Sequence, residues 1–160
     1  MKCVHCSGVI KSTRGAHRYT ESGLSNVTLL NVELRHCSEC GEREVVIPRI
    51  EELHRIIART VATGQSRLNP EQIRFLRKWL GWSSVDFALM MGVRPETVSR
   101  WEHKGTGYQM PATAERLLRL MVANQDPVTK YPIDLFKLQP RLRPLPLKFI
   151  KSPDWREAAS

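Results

Sequence analysis

Long hydrophobic runs are missing from this chain of 160 residues. No apolar stretch approaches the roughly 18 residues that a membrane-spanning helix needs. The N-terminus, MKCVHCSGVI, has too few apolar residues and too many Cys and His residues for a signal peptide. We therefore expect a cytoplasmic protein that has no membrane partner.

Acidic residues are scarce relative to basic ones. The chain has 16 Asp and Glu against 25 Lys and Arg, which gives a formal net charge of +9. Such a balance favours a polyanionic partner, and nucleic acid ahead of an anionic membrane. Patterns typical of enzymes are missing as well. The sequence has no phosphate-binding loop, no nucleophile–base pair and no His-Glu-x-x-His pattern, so we expect no catalytic activity.

Cysteine is rare, but its placement is regular. The four cysteines form two Cys-x-x-Cys pairs, Cys3 with Cys6 and Cys37 with Cys40, and 30 residues separate the pairs. A Cys-x-x-Cys turn supplies two thiolates to neighbouring corners of a zinc tetrahedron. Two such turns complete a closed site, so the sequence predicts one structural Zn²⁺.

Three other interpretations of the cysteines stay open at this point. Two redox motifs would need a thioredoxin-like βαβ setting, and two disulfides would need an oxidising compartment. A catalytic zinc would need only three protein ligands and a nearby acid or base. The histidines at 5, 17 and 36 are near enough to serve as substitute ligands, but we interpret them as solvated or packed.

The spacer between the cysteine pairs predicts a β-hairpin. Residues 17–22 (HRYTES) and 26–37 (NVTLLNVELRHC) are rich in β-forming types, and Ser22 and Gly23 mark a turn between them. Gly8 and Gly41 follow the two cysteine pairs, where we expect tight turns. Residues 1–47 are therefore predicted to form a small β-rich zinc module.

The remaining chain up to about residue 125 predicts helices. Residues 48–68 are predicted to contain a helix, which either completes the zinc module or connects it to the next domain, and most of the polar hinge GQSRLN (64–69). The apolar residues expected to face inward on that helix are Ile50, Leu53, Ile56, Ile57 and Val61. A domain at 69–125 opens on a capping asparagine and a first-turn proline, Asn69 and Pro70. Its predicted helices are PEQIRFLRKWLG, SVDFALMMG, PETVSRWEHK and PATAERLLRLMVA.

The stretch RFLRKWLGWSSVDFALMMGVRPETVSRWEHKG resembles the XRE family, the Cro and lambda-repressor type of helix-turn-helix. The matching residues are Arg77 before Leu80-Gly81, Ser83-Ser84 ahead of Phe87-Ala88, Gly92-Val93, and residues 97–102 before Gly105. The four-cysteine module in front of it resembles the YgiT-type zinc finger of MqsA-like antitoxins. Together the two resemblances cover about residues 1–125.

The resemblance implies an α+β protein of two domains, in which the zinc module precedes an all-α XRE-type helix-turn-helix domain. It implies a bacterial, nucleoid-associated DNA-binding protein that acts as a homodimer on a palindromic operator. Such proteins are commonly antitoxins that repress their own operon, so a cognate toxin is a possible partner. The alternative is a protein-interaction module in which the zinc domain or the tail binds a partner and DNA contact is secondary.

The resemblance assigns the third helix, 95–104, to the major groove of DNA. Arg100 then carries a fork of donors that matches guanine O6 and N7, the alternative being a phosphate contact or solvent exposure. Glu96 stands where family members often have Gln or Asn. A carboxylate can only accept, for instance from cytosine N4, so the family's operator sequences do not carry over to this chain.

The other predicted site residues surround this helix. Those expected to contact phosphates are Arg94, Thr97, Ser99 and Lys104. Ser83 and Ser84 are expected to cap the preceding helix, whose N-terminal amides can hold a phosphate. In the family pattern Arg77 would pair with Glu102 in a structural ion pair. We interpret Trp79, Trp82 and Trp101 as packing residues, and Tyr108 as either a loop residue or a contact to the DNA backbone.

The tail at 126–160 lies outside the resemblance. It holds six of the ten prolines, a density that forbids a long helix, yet it is too apolar for a simple linker. We expect an extended Pro-rich arm that docks on another surface, such as a second subunit.

Overall fold

A computed structural model describes residues 1–105 and 107–124, together with the backbone of 147–151 and 154–157. The chain divides into two units, Met1–Lys130 and Tyr131–Ser160. Within the described ranges, no helix has both the length and the apolar character needed to cross a membrane.

Three antiparallel strands build the N-terminal part of the first unit. They are β1 (Ile10–Arg18), β2 (Thr28–Cys37) and β3 (Arg43–Val46), paired in the order β1-β2-β3. The predicted turn is present, because Gly23 lies at φ 80° and its N–H donates to the carbonyl of Thr20. The first strand was predicted too late in the chain: β1 runs from Ile10 to Arg18, and residues 20–22 of the predicted strand form a short 3₁₀-helix. The first seven residues of β1, IKSTRGA, are poor in β-forming types, and their pairing with β2 determines their conformation.

The connecting helix, α1 (Ile50–Thr63), buries a face that differs in part from the predicted one. Ile57 is buried and Leu53 and Val61 pack against the core, as expected. Ile50 and Ile56, however, are exposed. Two small residues take the inward places instead, Ala58 and Ala62. Small side chains suit this face because α1 packs closely on neighbouring helices.

Four further helices follow, close to the predicted bounds. They are α2 (Pro70–Trp79), α3 (Ser84–Met91), α4 (Pro95–Glu102) and α5 (Ala112–Ala123). Local signals explain where they begin and end. The Asn69 side chain accepts from the N–H of Gln72 in a capping box at the start of α2. Gly92 ends α3 at φ 63°, a conformation that glycine adopts without strain.

One apolar core joins the sheet to the helices. Tyr19 and Leu24, from the sheet side, are buried in the same cluster as residues of α1 to α5. The Tyr19 hydroxyl lies 2.8 Å from Nε2 of His54 on α1. The His54 ring in turn packs perpendicular to the Phe75 ring on α2, with the ring centroids 6.2 Å apart. The predicted fold class, a small β-rich cysteine module followed by helix-turn-helix helices, is confirmed.

The segment predicted as a polar hinge is held by side chains of α5. The Arg119 guanidinium donates to four carbonyls at the end of α1 and just beyond it, at 2.5–3.1 Å: Val61, Ala62, Gly64 and Ser66. Glu115 is buried and accepts from the Leu68 N–H at 3.1 Å and from Arg67 Nε at 2.6 Å. Residues 64–68 therefore have a fixed path between α1 and α2.

The second unit contains a β-hairpin. Strands β4 (Leu147–Lys151) and β5 (Asp154–Glu157) pair in an antiparallel manner. Most of the predicted Pro-rich arm at 126–160 lies outside the described residues, and its docking stays a prediction.

Candidate metal site and nucleic-acid interface

The four cysteines converge on one point. Their sulfur atoms all lie within 4.8 Å of one another. Across the two turns, the Sγ atoms are 3.7 Å apart for Cys3 and Cys40 and 3.4 Å apart for Cys6 and Cys37. Thiolates bound tetrahedrally to zinc at about 2.3 Å lie about 3.8 Å apart. The cluster therefore has the donor atoms and the spacing to bind a metal ion.

Backbone hydrogen bonds shape the two cysteine turns in the same way. The Ser7 N–H donates to the Cys3 carbonyl at 2.9 Å, and the Gly41 N–H donates to the Cys37 carbonyl at 3.1 Å. Ser7 and Gly41 both adopt the left-handed conformation, at φ 61° and 75°. The turn glycine predicted at Gly41 is therefore present, whereas Ser7 takes the corresponding place in the first turn.

Gly8 is needed for a different reason from the predicted one. Its backbone does not require positive φ, but a Cβ there would lie 2.4 Å from Cγ of Glu39 and 3.1 Å from Sγ of Cys6. The two cysteine turns approach each other closely here, and a larger residue at position 8 would force the Glu39 side chain to move.

The sulfur cluster favours a bound cation electrostatically. Backbone N–H groups of Cys40 and Glu39 lower the pKa of Cys37 to about 7 and outweigh the effect of burial. The Gly8 N–H lowers the pKa of Cys6. Hydrogen bonds with the sulfurs of Cys37 and Cys40 raise it, and the net result is a pKa of about 12. Four thiolates at this spacing repel one another, and a metal ion at their centre would remove that repulsion.

Helices α3 and α4, with the turn at Gly92 between them, have a helix-turn-helix arrangement. Val98 and Trp101 on α4 are 0% and 2% exposed, and the Trp101 ring meets Phe87 of α3 edge-on at 6.3 Å. The Trp82 ring also stacks on Phe87, with the ring centroids 5.9 Å apart. Trp101 lies in the core and Trp79 and Trp82 pack against it, as predicted, and α4 is fixed by its inner face.

The outer face of α4 carries polar residues. The exposed members are Glu96, Ser99 and Arg100, and Thr97 is partly buried. Arg94, the residue before the helix, is exposed as well. The side chains predicted to read bases therefore share one accessible surface.

Arg77 and Glu102 meet as the resemblance implies. Arg77 donates through Nε and Nη2 to the two carboxylate oxygens at 2.5 and 2.9 Å, and both residues are buried. A further Arg77 nitrogen donates to the Trp82 carbonyl at 2.7 Å. Arg74, which the sequence reasoning missed, donates to the Glu102 carbonyl at 2.8 Å. Arg74 lies one helical turn before Arg77 on α2, and this spacing could have indicated that both arginines reach Glu102.

The two serines at the start of α3 differ in role. Ser83 is the capping residue, since its Oγ accepts from the Asp86 N–H at 3.1 Å. Ser84 is the first residue of the helix, so the expectation that both serines cap it is wrong. The Ser83 hydroxyl also donates to the Asp86 carboxylate at 2.6 Å. The hydroxyl and N–H of Ser83 lower the pKa of Asp86, so a negative charge already occupies this helix end.

Lys104 is paired within the protein. Its ammonium group forms an ion pair with Glu71, at the start of α2. Glu71 also accepts from the N–H and the hydroxyl of Ser25, at 3.1 and 2.7 Å. Lys104 and Ser25 together lower the pKa of Glu71 to about 2. Glu71 thus joins the loop between β1 and β2 to the segment after α4.

Arg100 lies over the ring of Tyr108. Its guanidinium carbon is 5.5 Å from the ring centroid, and Tyr108 is 55% exposed. Sequence reasoning did not pair these residues, because the path of the loop after α4 cannot be read from local patterns.

The buried inner face of α4, its polar outer face and the turn after α3 define a helix-turn-helix domain. Residues 73–121 match the protein family described as helix-turn-helix. No curated protein and no solved structure gives a significant match. The family match supports a DNA-binding transcription regulator of the XRE type, a class that is typically non-enzymatic.

Proposed function

We propose that this protein is a sequence-specific transcriptional repressor that places α4 in the major groove of its operator. The observation that carries the proposal is the division of α4 into two faces. Val98 and Trp101 fix the inner face in the core, and Glu96, Ser99 and Arg100 remain accessible on the outer face. A rigid helix with accessible donors and acceptors is what direct readout of base edges requires.

The polar face suggests which bases are read. Arg100 can donate to O6 and N7 of one guanine, and Glu96 can accept from N4 of one cytosine. The two residues are four positions apart and therefore lie on the same side of the helix. Ser99, Thr97 and Arg94 flank them and suit phosphate contacts that fix the register.

Contacts within the protein weaken two of the predicted phosphate contacts, those of Lys104 and of the N-terminus of α3. Lys104 must leave Glu71, or share it, before it binds a phosphate. At the start of α3, Asp86 repels a phosphate that the helix amides would otherwise attract. We therefore assign the main phosphate contacts to Arg94, Thr97 and Ser99.

We further propose that the four cysteines hold one structural Zn²⁺. Four thiolates in a tetrahedral arrangement suit zinc, and a site with four protein ligands leaves no position for a catalytic water. The ion would join the first cysteine turn to the turn between β2 and β3. The cysteines alone would supply the ligands, and the N–H groups of Gly8, Glu39 and Cys40 would stabilise the thiolates.

Binding as a homodimer to a palindromic operator is part of the proposal. Two recognition helices then read half-sites about one helical turn apart, roughly 34 Å. Leu117 and Leu120 of α5 are 41% and 59% exposed, beside the buried Leu118, and offer an apolar surface for the contact between subunits. We also propose that the protein is an antitoxin that represses its own operon, with a cognate toxin as a second partner.

Selection of bound duplexes from a random pool, with zinc present, tests the main proposal. We expect a paired half-site motif to be enriched by the unmodified chain and lost with Arg100→Ala. Arg55→Ala is a matched control, because Arg55 is an exposed arginine on α1, outside the helix-turn-helix helices. Enrichment of no sequence, or equal loss with both variants, would contradict sequence-specific reading by α4.

A second function, binding of a protein partner by the cysteine module, is supported by one observation. A cavity of about 760 Å³ lies between the sheet and the start of α1, with Leu34, Ile47 and Ile50 among its lining residues. Coexpression with the product of a neighbouring gene tests this function. A complex that survives Arg100→Ala but is lost with Leu34→Asp would favour it.

A further inference from the structure

The face of α4 that we propose to read bases includes a contact with the loop that follows it. The Arg100 guanidinium carbon lies 5.5 Å from the centroid of the Tyr108 ring. A guanidinium within about 6 Å of an aromatic face is attracted to it, and the planar group stacks well. The ring therefore restricts a side chain that otherwise has many rotamers.

The backbone on either side of Tyr108 is anchored by contacts that do not involve Arg100. Two residues further along, Met110 is buried, and its carbonyl accepts a hydrogen bond from Arg67. Gly107, directly before Tyr108, lies at φ 66°, which a glycine adopts without strain. On the other side of the loop, Glu102 is fixed by its pair with Arg77. The ring is thus attached to a backbone that is anchored at both ends.

We infer that Tyr108 is a positioning residue for base recognition. Its ring holds the Arg100 guanidinium in place before DNA arrives, so operator binding immobilises less side-chain freedom. This inference rests on the proposed function, because it requires Arg100 to read a base. A non-specific duplex gives Arg100 no base partner in a fixed orientation. Tyr108 therefore increases the preference for the operator rather than affinity for DNA in general.

The test uses the full chain with zinc and two duplexes at one salt concentration, the selected duplex and a shuffled one of equal composition. The variants are Tyr108→Ala, Tyr108→Phe, Arg100→Ala and the Arg100→Ala/Tyr108→Ala double variant. We expect Tyr108→Ala to weaken binding to the selected duplex roughly three- to tenfold, with the shuffled duplex unchanged. Tyr108→Phe keeps the ring and should bind like the unmodified chain.

Two further results are expected if the ring acts through Arg100. In the Arg100→Ala background, Tyr108→Ala should have no additional effect on binding. In a panel of duplexes with single base-pair changes, Tyr108→Ala should weaken discrimination at the same base pair as Arg100→Ala. A ring that only stabilises the loop would not produce this match.

Several outcomes would overturn the inference. Equal losses for Tyr108→Phe and Tyr108→Ala would assign the effect to the hydroxyl, as in a phosphate contact. An undiminished effect of Tyr108→Ala without Arg100 would show that the two act independently. If Arg100→Ala loses discrimination and Tyr108→Ala does not, the inference fails while the proposed function stands. If the unmodified chain binds the selected and the shuffled duplex equally well, both the inference and the proposed function fail.

Thermal unfolding of each variant checks that it is folded. Because Tyr108 is 55% exposed, we expect Tyr108→Ala to unfold near the temperature of the unmodified chain. If it does not fold, Tyr108→Leu replaces it, since leucine keeps apolar bulk without a π face.

Discussion

Arg77 on α2 and Glu102 at the end of α4 form a buried, bidentate ion pair, with N–O distances of 2.5 and 2.9 Å. Both side chains are at most 10% exposed, so the Arg77 charge depends on Glu102 for compensation, while Glu102 also pairs with Arg74 at 3.4 Å. Because Glu102 directly follows Trp101, the pair fixes the last turn of the helix that we propose to read DNA. The pair therefore both stabilises the fold and holds α4 in its orientation relative to α2.

Removal of one partner should destabilise the fold strongly. We expect Glu102→Gln to lower the free energy of unfolding by about 3–5 kcal/mol, because it leaves the Arg77 charge buried without a counterion. Urea unfolding followed by tryptophan fluorescence measures the change. Arg74→Ala is the control, because Arg74 is 50% exposed and should cost less than about 1 kcal/mol. Similar midpoints for the two variants would contradict a structural role for the buried pair.

Arg100 and Arg94 should affect DNA binding differently. We expect Arg100→Ala to reduce discrimination between operator and random duplex by about 1–3 kcal/mol, because it removes a base contact. Arg94→Ala should weaken both duplexes about equally and reduce the salt dependence of binding, because it removes a phosphate contact. Titrations at several salt concentrations separate the two effects. A uniform loss of affinity with Arg100→Ala would exclude it as a base reader.

Glu71 should make stability depend on pH in the acid range. Its pKa is lowered from 4.5 to about 2 in the fold, so the folded state holds its proton more weakly than the unfolded state. The stabilisation is fully present above about pH 4.5 and is lost as the pH falls towards about 2. We expect Glu71→Gln to be less stable than the unmodified chain at neutral pH, with the difference shrinking on acidification.

Urea unfolding of both proteins at each pH measures this difference. Other carboxylates with lowered pKa values, including Asp86, contribute to both proteins and cancel in the comparison. A difference that stays constant between pH 6 and pH 3 would contradict the assigned role of Glu71.

Metal removal should act first on the cysteine turns. We expect one zinc per chain in protein purified without chelator, and chelation should raise amide exchange at Ser7 and Gly41, whose N–H groups close the two turns. Amides around Val98 on α4 should stay protected. Cys40→Ser should lose the metal, whereas Ser38→Ala, in the same turn, should keep it. A metal content far below one per chain would contradict the zinc site.

Local signals in the sequence were sufficient to predict most helix ends and the cysteine cluster. Asn69 and Pro70 mark the start of α2, and Gly92 marks the end of α3, because capping and positive φ depend on a few adjacent residues. The cysteine spacing predicts the sulfur cluster for the same reason, since each turn places two ligands by itself.

Features that depend on contacts distant in sequence were missed. Strand β3 has only four residues and owes its conformation to pairing with β2. Ile56 fits a helical apolar stripe, but the packing of α1 turns it outward. The contact between Glu71 and Ser25 joins residues 46 positions apart, and no local sequence pattern predicts it. The prediction that Lys104 contacts a phosphate was made without knowledge of its ion pair with Glu71, which is another contact between residues distant in sequence.

Arg119 on α5 binds four carbonyls at the end of α1 and just beyond it, and this limits where the chain can be divided or joined to another protein. A chimera joined at residues 64–68 would separate the guanidinium on α5 from its acceptors unless the new partner supplied carbonyls in the same places. The helix-turn-helix region therefore cannot be transferred to another protein without the end of α1 that Arg119 binds. Exchange of DNA specificity between such proteins should succeed by replacement of single side chains on α4, and fail by exchange of whole halves.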